Sequence, residues 1–597
     1  MLWKLSLTGI KSRFKDYAVL FSGLTLAAAI FYMFLTLALN PSFLKDSVSL
    51  GYETTQFVFS FGLVLLAIIT LVYIIYANSF LLSMRKRDYG TYMMLGAKNR
   101  KISRLIFVET LVIGILATLL GIVIGIGLTQ VISNLLISQL GLVIHHFVGF
   151  YFPAVLWTII FFAILFFLAA SWNSLKLTKS SLISLLHEDQ QPVHIMRHKG
   201  LLLFKAIAGL VLLAVGYWAM STVQMLNLTS IPLALVTIVA GSYLIFASFF
   251  TATIDLLRKN SNYTFKGLHA FSLGQLKFRI NAYNRILTIV SLLFALALGA
   301  ITVGLNFNNL TAQNLESQYY DIVIPGDTKP YKAELKQLGV TDSKSFSFKN
   351  NNAHVYVSKD EIIRKGFKAK LFSVKNGQAH YTEITLNQKN FAKIYSTDFD
   401  TNLPRGYGEV TYVSDAKFKQ VKAPTRTATV YKVADFLKNW KAISKLEKKT
   451  LNAKTERYWN GASPKVFNHQ AAMTLASGFE FMGFFLGLAF LAMLASTLMF
   501  KVLSGASGDR PRYQMLWKIG TRTKLLKQSI AKEIGILFAL PAALGIIDVL
   551  FGLQFFKLLL PDPYDKIWIP FTIFIVLYLL YYLLTVKLYE GIVLKKD

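Results

Sequence analysis

"LSMRKRDYGTYMMLGAKNRKISRLIFVE", residues 82–109, decides how this chain folds. It lies between two long apolar runs and gathers Arg85, Lys86, Arg87, Lys98, Arg100, Lys101 and Arg104 around Gly96. Lys and Arg collect in cytoplasmic loops of membrane proteins, so the stretch reads as a basic elbow between two spans. The composition agrees: 54% hydrophobic and 16% charged residues over 597 positions fit a polytopic membrane protein better than a string of soluble domains.

The 63 Lys+Arg stand against 31 Asp+Glu. A nucleic-acid-binding protein would carry such an excess on a soluble basic face, whereas a membrane protein gathers it in cytoplasmic loops, and the hydrophobicity favours the second reading. The absence of cysteine excludes disulfides, thiolate metal sites and cysteine nucleophiles. Lys4, Lys11, Arg13 and Lys15 precede an apolar run from Tyr17 to about Leu39, too long for a signal-peptide core, which predicts a retained first span.

A ~30 Å hydrocarbon core takes about 20 apolar residues to cross. Ten stretches reach that length, near 17–39, 56–80, 106–135, 149–171, 201–221, 230–254, 285–307, 477–502, 530–558 and 566–589. With the N-terminus inside, the Lys/Arg-rich segments 82–105, 173–200, 256–284 and 501–529 are cytoplasmic. The loops 40–55, 136–148, 222–229 and 559–565, which carry few such residues, are outside. The pattern predicts a cell-membrane, multi-pass protein with both termini cytoplasmic. Residues 308–476 are then extracytoplasmic. Strand-like runs ("DIVIPG", "AHVYVS", "AKLFSV", "GEVTYVS") and helical patterns ("PYKAELKQLG", "VADFLKNWKAISKLEKK") predict an α+β domain there, basic in its own right with 27 Lys+Arg against 15 Asp+Glu.

The chain repeats itself. "LTGIKSRFKDY" (7–17) lies over "LGQLKFRINAY" (273–283), matching Lys11 to Lys277, Arg13 to Arg279 and Tyr17 to Tyr283. "YGTYMMLGAKNRKISRLIFVE" (89–109) lies over "YQMLWKIGTRTKLLKQSIAKE" (513–533), matching Tyr89 to Tyr513, Gly96 to Gly520, Lys98 to Arg522, Arg100 to Lys524 and Glu109 to Glu533. One insertion explains the change of offset between the two matches. The predicted organisation is a four-span repeat (1–175), a linker with spans 5 and 6 (176–266), span 7 opening the second repeat (267–307), the inserted domain (308–476) and spans 8 to 10 (477–597). Both copies share one orientation, so the repeats are parallel.

The segment from Phe80 to Glu109 resembles the signature of FtsX-like permeases of ATP-binding-cassette transporters. Ten spans with a large domain between spans 7 and 8 resemble more narrowly the Bce-type permeases, the bacitracin and antimicrobial-peptide resistance systems of Gram-positive bacteria. The resemblance covers nearly the whole chain in layout and about 60 residues in motifs. It implies two parallel four-helix FtsX-like repeats, and a separate cytoplasmic ATPase dimer holding ATP and Mg. This chain would then have no cofactor and no enzymatic activity of its own, and it would export or remove cell-wall-active peptides and signal to a membrane sensor histidine kinase. The sequence agrees in lacking a G-x-x-x-x-G-K-[ST] loop; "GASGDRPR" (505–512) has no lysine placed to reach phosphates. The alternative is a signal transducer or mechanotransmitter that couples the ATPase to a sensor domain and translocates nothing.

The expected ATPase-coupling residues are Tyr89, Gly96, Lys98, Arg100, Lys101 and Glu109, with Tyr513, Gly520, Arg522, Lys524 and Glu533. Each glycine can end one helix and start the next, presenting a short interfacial helix, or form an ordinary tight turn. The cations, with Arg104 and Lys527, either pair with acids on the ATPase or sit beside anionic membrane lipids. Glu109 and Glu533 stand inside the apolar onset of spans 3 and 9, either transmitting motion or bonded to a neighbouring lysine. Asp548 is an intramembrane acid whose counterpart is Ile124. Ala117, Gly121 and Gly125 in span 3, and Gly535, Ala539 and Ala543 in span 9, are small-residue stripes for close helix approach, and Pro541 can kink span 9.

"HEDQQ" at 187 and the pair His194 and His198 fall short of a metal motif, so no metal is expected. In the inserted domain the clusters "IIRKGFKAK" (362–370) and "KAISKLEKK" (441–449) are basic. Arg364, Lys365, Lys368 and Lys370 are candidates to bind an anionic cell-wall lipid or its peptide complex, against the alternative of a solvated surface.

Overall fold

The computed structural model describes residues 14–40, 49–140, 148–178, 199–222, 229–259, 261–264, 269–307, 318–350, 354–375, 378–396, 409–450, 463–558, 560 and 562–594. The segments with His187, His194 and His198, and with Lys11 and Arg13, lie outside these. Among the described residues ten helices are long and apolar enough to cross a membrane: Phe21–Leu39, Val58–Ile75, Asn99–Asn134, Phe152–Leu175, Gly200–Ser221, Ser230–Lys259, Ala282–Asn306, Lys465–Ala506, Thr523–Phe555 and Trp568–Val593, here spans 1 to 10. Each falls on one of the ten apolar runs. Span 4 leaves Trp157, Phe167 and Leu168 more than half exposed. Such a surface suits lipid, and the helix satisfies its backbone internally.

Two helices run well beyond the membrane. Span 2 belongs to the 46-residue helix Ser49–Met94 and span 8 to the 55-residue helix Pro464–Lys518. At 1.5 Å per residue these are ~70 and ~80 Å long, more than twice the hydrocarbon thickness. Past each turn the next long helix starts at once, Asn99–Leu140 carrying span 3 and Thr523–Phe555 carrying span 9. Neither glycine therefore leads into the expected short interfacial helix. The charged segments are the ends of the spanning helices, which run on through Gly90 in the first and through Pro511 in the second.

The chain divides into two compact units. The helical unit comprises Met1–Leu136, Ile144–Asn306 and Gly478–Asp597. In it, Cβ atoms added at Gly121 and Gly125 would stand 2.8 Å from the carbonyl oxygens of Thr25 and Ala29, so this stripe is where span 3 packs on span 1. Gly535 meets nothing closer than 3.5 Å, and the tight contact of span 9 falls instead at Gly545, against Phe294 of span 7.

The second unit is mainly Phe307–Ser477. Its five-stranded sheet has the order β1-β7-β2-β3-β6, with β1 Ile322–Pro325, β2 Val340–Asn350, β3 His354–Ser358, β6 Glu409–Val413 and β7 Thr425–Val433. A separate hairpin pairs β4 Lys368–Lys375 with β5 Gln378–Thr385. All pairings are antiparallel except β3 with β6. Alternate residues of β1 and β7 enter two cores. Val323 and Val430 join Phe346, Phe348, Val357 and Phe367, while Ile322, Ile324, Tyr431 and Val433 pack on Phe436, Ile443 and Leu446 of the helix Phe436–Thr450. Burial on both faces is why "DIVIPG" is apolar without alternation.

Candidate functional site

The two elbows close in the same way. At the first, Gly96 N donates to Met93 O at 3.0 Å and Ala97 N to Tyr92 O at 2.9 Å; at the second, Gly520 N donates to Trp517 O at 3.0 Å and Thr521 N to Leu516 O at 3.1 Å. This pair of bonds ends a helix on a left-handed residue, and both glycines have φ of 92°. No atom lies within 4 Å of a Cβ at either position, so the backbone angle, and not crowding, calls for glycine.

Seven residues before each glycine a buried tyrosine reaches across to the glutamate thirteen residues after it. Tyr89 Oη donates to Glu109 Oε2 at 2.9 Å, and Tyr513 Oη donates to Glu533 Oε1 at 3.1 Å. All four side chains are buried. The tyrosine and glutamate that the repeat picked out are thus one clasp, made twice, with a phenol bonded to the glutamate in each copy. Around the first clasp Tyr92, Met93, Ile102, Leu105 and Ile106 form a small apolar core that holds the helices side by side.

The second clasp adjoins a buried arginine. Arg279 Nη2 donates to Asp509 Oδ2 at 2.7 Å and to Tyr589 Oη at 2.6 Å, and Tyr589 Oη donates to Asp509 Oδ2 at 2.8 Å, closing a ring of hydrogen bonds. Glu533 Oε2 lies 3.7 Å from Arg279 Nη2, an ionic contact without a hydrogen bond, while its Oε1 accepts from Ser529 Oγ at 3.1 Å. Arg512 pairs with the other oxygen of Asp509 at 3.2 Å. Sequence reading marked Arg279 only as a repeat match and missed Asp509 and Tyr589.

At the tips apolar side chains stand exposed. Leu95 is 81% exposed and its counterpart Ile519 72%, with Met94 and Trp517 also more than half exposed. Lys98, Arg100, Lys101 and Arg104 surround the first tip, and Arg522, Lys524 and Lys527 the second, all exposed. Cations at the start of a helix oppose its dipole, so Lys98, Arg100, Lys101, Arg522 and Lys524 do not stabilise these helix starts, whereas Lys527 pairs with Glu590 of span 10 at 3.4 Å. Each elbow is an apolar knob in a basic collar.

Elsewhere, Asp548 of span 9 accepts from Tyr217 Oη of span 5 at 2.7 Å, and Tyr217 stacks on Phe551 at 4.3 Å. In the inserted domain the four candidate cations do not converge. Arg364 pairs with Asp415, Lys365 with Glu361 and Lys368 with Glu383, and Lys370 stands opposite Glu383 in the hairpin register. The Glu383 carboxylate raises the Lys368 ammonium above its usual range, and Lys368 lowers Glu383 below its own. Among the described residues no group of His, Asp and Glu is arranged to hold a metal ion.

Residues 57–182 match the family described as FtsX-like permease C-terminal. The chain is 25% identical over 310 residues to the bacitracin export permease protein BceB of Halalkalibacterium halodurans, an alignment covering 50% of this chain and 47% of that protein. It is 20% identical over 631 residues to the bacitracin export permease protein BceB of Bacillus subtilis, covering 96% of each. It is 23% identical over 588 residues to the B. subtilis ABC transporter permease protein YxdM, covering 90% of this chain and 91% of that protein. The chain spans about half the length of the first of these relatives and nearly all of the other two. Ten spans, an α+β domain between spans 7 and 8, and these matches support a Bce-type FtsX-like permease of the ATP-binding-cassette class.

Proposed function

We propose that this permease works with a separate cytoplasmic ATPase dimer to protect the cell from cell-wall-active peptides of the bacitracin kind, and that the two elbows are where the ATPase docks. The observation that carries the reading is the duplicated, clasped turn with its apolar tip. Two equivalent knobs on long stiff helices suit two equivalent grooves on a two-fold partner, with the basic collars facing acidic rims. ATP and Mg belong to that partner. Both termini and the elbows are cytoplasmic in this reading, and the inserted domain faces outward. A membrane sensor histidine kinase is a further expected partner, reading out transport. Continuous helices of ~70 to 80 Å favour mechanical transmission over conduction of a hydrophilic solute.

The test is co-purification of the ATPase with the permease carrying Leu95→Asp and Ile519→Asp, which place acids on the tips and leave the clasps intact. Loss of the ATPase, with bacitracin sensitivity rising to that of a deletion strain, is expected. Full retention of ATPase and resistance removes the docking role. A deletion strain no more sensitive than its parent to a panel of cell-wall peptides removes the detoxification role.

A further inference from the structure

Three charges are buried together at the root of the second elbow. Arg279 lies on the span 7 helix His269–Asn306, Asp509 on the span 8 helix and Glu533 on the span 9 helix, with side chains 6%, 13% and 1% exposed. One guanidinium therefore faces two carboxylates. It is hydrogen-bonded to Asp509 at 2.7 Å and to Tyr589 of span 10 at 2.6 Å, and it stands 3.7 Å from Glu533 Oε2. Among the described residues that glutamate oxygen has no hydrogen-bond donor.

Each acid also keeps partners of its own. Asp509 Oδ1 pairs with Arg512 at 3.2 Å, and Glu533 Oε1 accepts from Tyr513 and from Ser529, each at 3.1 Å. Arg279 can thus leave Asp509 without stranding a bare carboxylate, and Glu533 has an oxygen ready to receive it. A charge-assisted bond is ~2.8 Å long, so about 1 Å of travel turns the ionic contact into a bond. A buried cation without a partner is heavily penalised, so the guanidinium belongs to one acid or the other and does not rest between them. The hydroxyls of Ser272 and Ser529, 2.8 Å apart, hold the span 7 and span 9 helices together beside this exchange.

We infer that Arg279 is an exchangeable positioning residue: opening of the second clasp transfers its guanidinium from Asp509 and Tyr589 to Glu533. The inference rests on the docking role proposed above, because a push on the Ile519 tip is what opens the clasp. Asp509 and Tyr513 stand one turn apart on the same face of one helix. When that helix end moves, Tyr513 withdraws from Glu533 and Asp509 withdraws from Arg279 in the same step. Glu533 loses its phenol as Arg279 loses its carboxylate, and each then satisfies the other. Tyr589 keeps only its 2.8 Å bond to Asp509, which releases span 10 from span 7. A small displacement at the elbow becomes a change of partner, because a buried ion pair has discrete arrangements and not a continuum.

The experiment is a set of double-mutant cycles read as the melting temperature of the permease with its ATPase in lipid nanodiscs, without nucleotide and with ATP and Mg on a hydrolysis-defective ATPase. Without nucleotide, Arg279→Gln and Asp509→Asn should be strongly non-additive, the double variant melting no lower than the worse single one, while Arg279→Gln and Glu533→Gln add. With ATP bound the two patterns should change places. Tyr513→Phe, which removes the phenol of the clasp, should give the exchanged pattern in the permease alone. A second set with Arg279→Lys, which keeps the charge and loses the fork, covers the case in which the neutral variant does not fold. The same pairing in both nucleotide states, or an unaltered pattern in Tyr513→Phe, overturns the inference. The tip variants Leu95→Asp and Ile519→Asp separate it from the docking role. ATPase retained by them overturns docking, whereas ATPase lost by them together with a fixed pairing overturns the exchange alone.

Discussion

Tyr89 donates a hydrogen bond to Glu109 from the opposite side of the first elbow, and both side chains are buried. A buried carboxylate deprived of a donor costs more than the bond itself gives, about 1 to 3 kcal/mol. Tyr89→Phe should accordingly open the pair of helix ends by about 2 kcal/mol, read as faster amide exchange over 89–109. Glu109→Gln keeps an acceptor for the phenol and should cost less. If Tyr89→Phe exchanges like the wild type, the clasp does not hold the elbow.

Gly96 and Gly520 test backbone against space. Since nothing crowds either position, Gly→Ala should cost only the left-handed backbone term, ~1 kcal/mol, and Gly→Asn less. A β-branched residue such as valine should cost more than alanine at the same site. Thermal stability of the purified permease carrying each substitution checks the order. If alanine and valine prove equally harmless, the φ of 92° does not matter to the protein.

Much of this was legible in the sequence because the relevant signals were local or periodic. Ten apolar runs give ten spans, and the self-match from Tyr89 to Glu109 marks the residues of both clasps without showing that tyrosine and glutamate bond each other. The missing parts depend on distant residues. Asp509 in "GASGDRPR" reads as one acid on a basic loop until a helix from 230 residues earlier brings Arg279 to it. Leu95 and Ile519 read as the last apolar residues of a helix, and only the turn shows that they point outward. Strand β7, central to the sheet, was overlooked because "TRTATVYKV" mixes threonines with apolar residues and serves two cores at once. The cations of 362–370 formed a patch in sequence and separate into distinct ion pairs because a left-handed turn at Gly366 divides helix from strand.

Asp548 and Tyr217 tie span 9 to span 5. Tyr217→Phe should weaken the packing of the span 5 and 6 hairpin on the second repeat by about 1 kcal/mol, the usual scale for a hydrogen bond between membrane helices. Asp548→Asn preserves the acceptor and should be milder than Asp548→Leu, which abandons the phenol. Since the chain has no native cysteine, introduced cysteine pairs across spans 5 and 9 can follow the contact by cross-linking. Equal cross-linking in wild type and Tyr217→Phe would show that the bond is incidental.

Glu447 should make the inserted domain sensitive to pH. It lies on the helix Phe436–Thr450 at 2% exposure, with Ser463 beside its carboxyl group. Burial pushes its pKa from 4.5 up to about 7, with nearby Ser463 holding the rise back. The native state therefore keeps a proton that the opened state releases, so stability is greatest below pH 4.5 and falls as pH rises toward 7. Above 7 both states are ionised and the loss is complete, on the order of 3 kcal/mol for a shift of this size. Exchange protection of residues 436–450 in the full-length permease, corrected for the intrinsic pH dependence, should drop between about pH 5 and pH 8. Glu447→Gln should remove most of that drop, leaving the domain more stable than wild type at about pH 8. Were the wild type and Glu447→Gln to lose protection in parallel, the carboxyl of Glu447 would not be the titrating group.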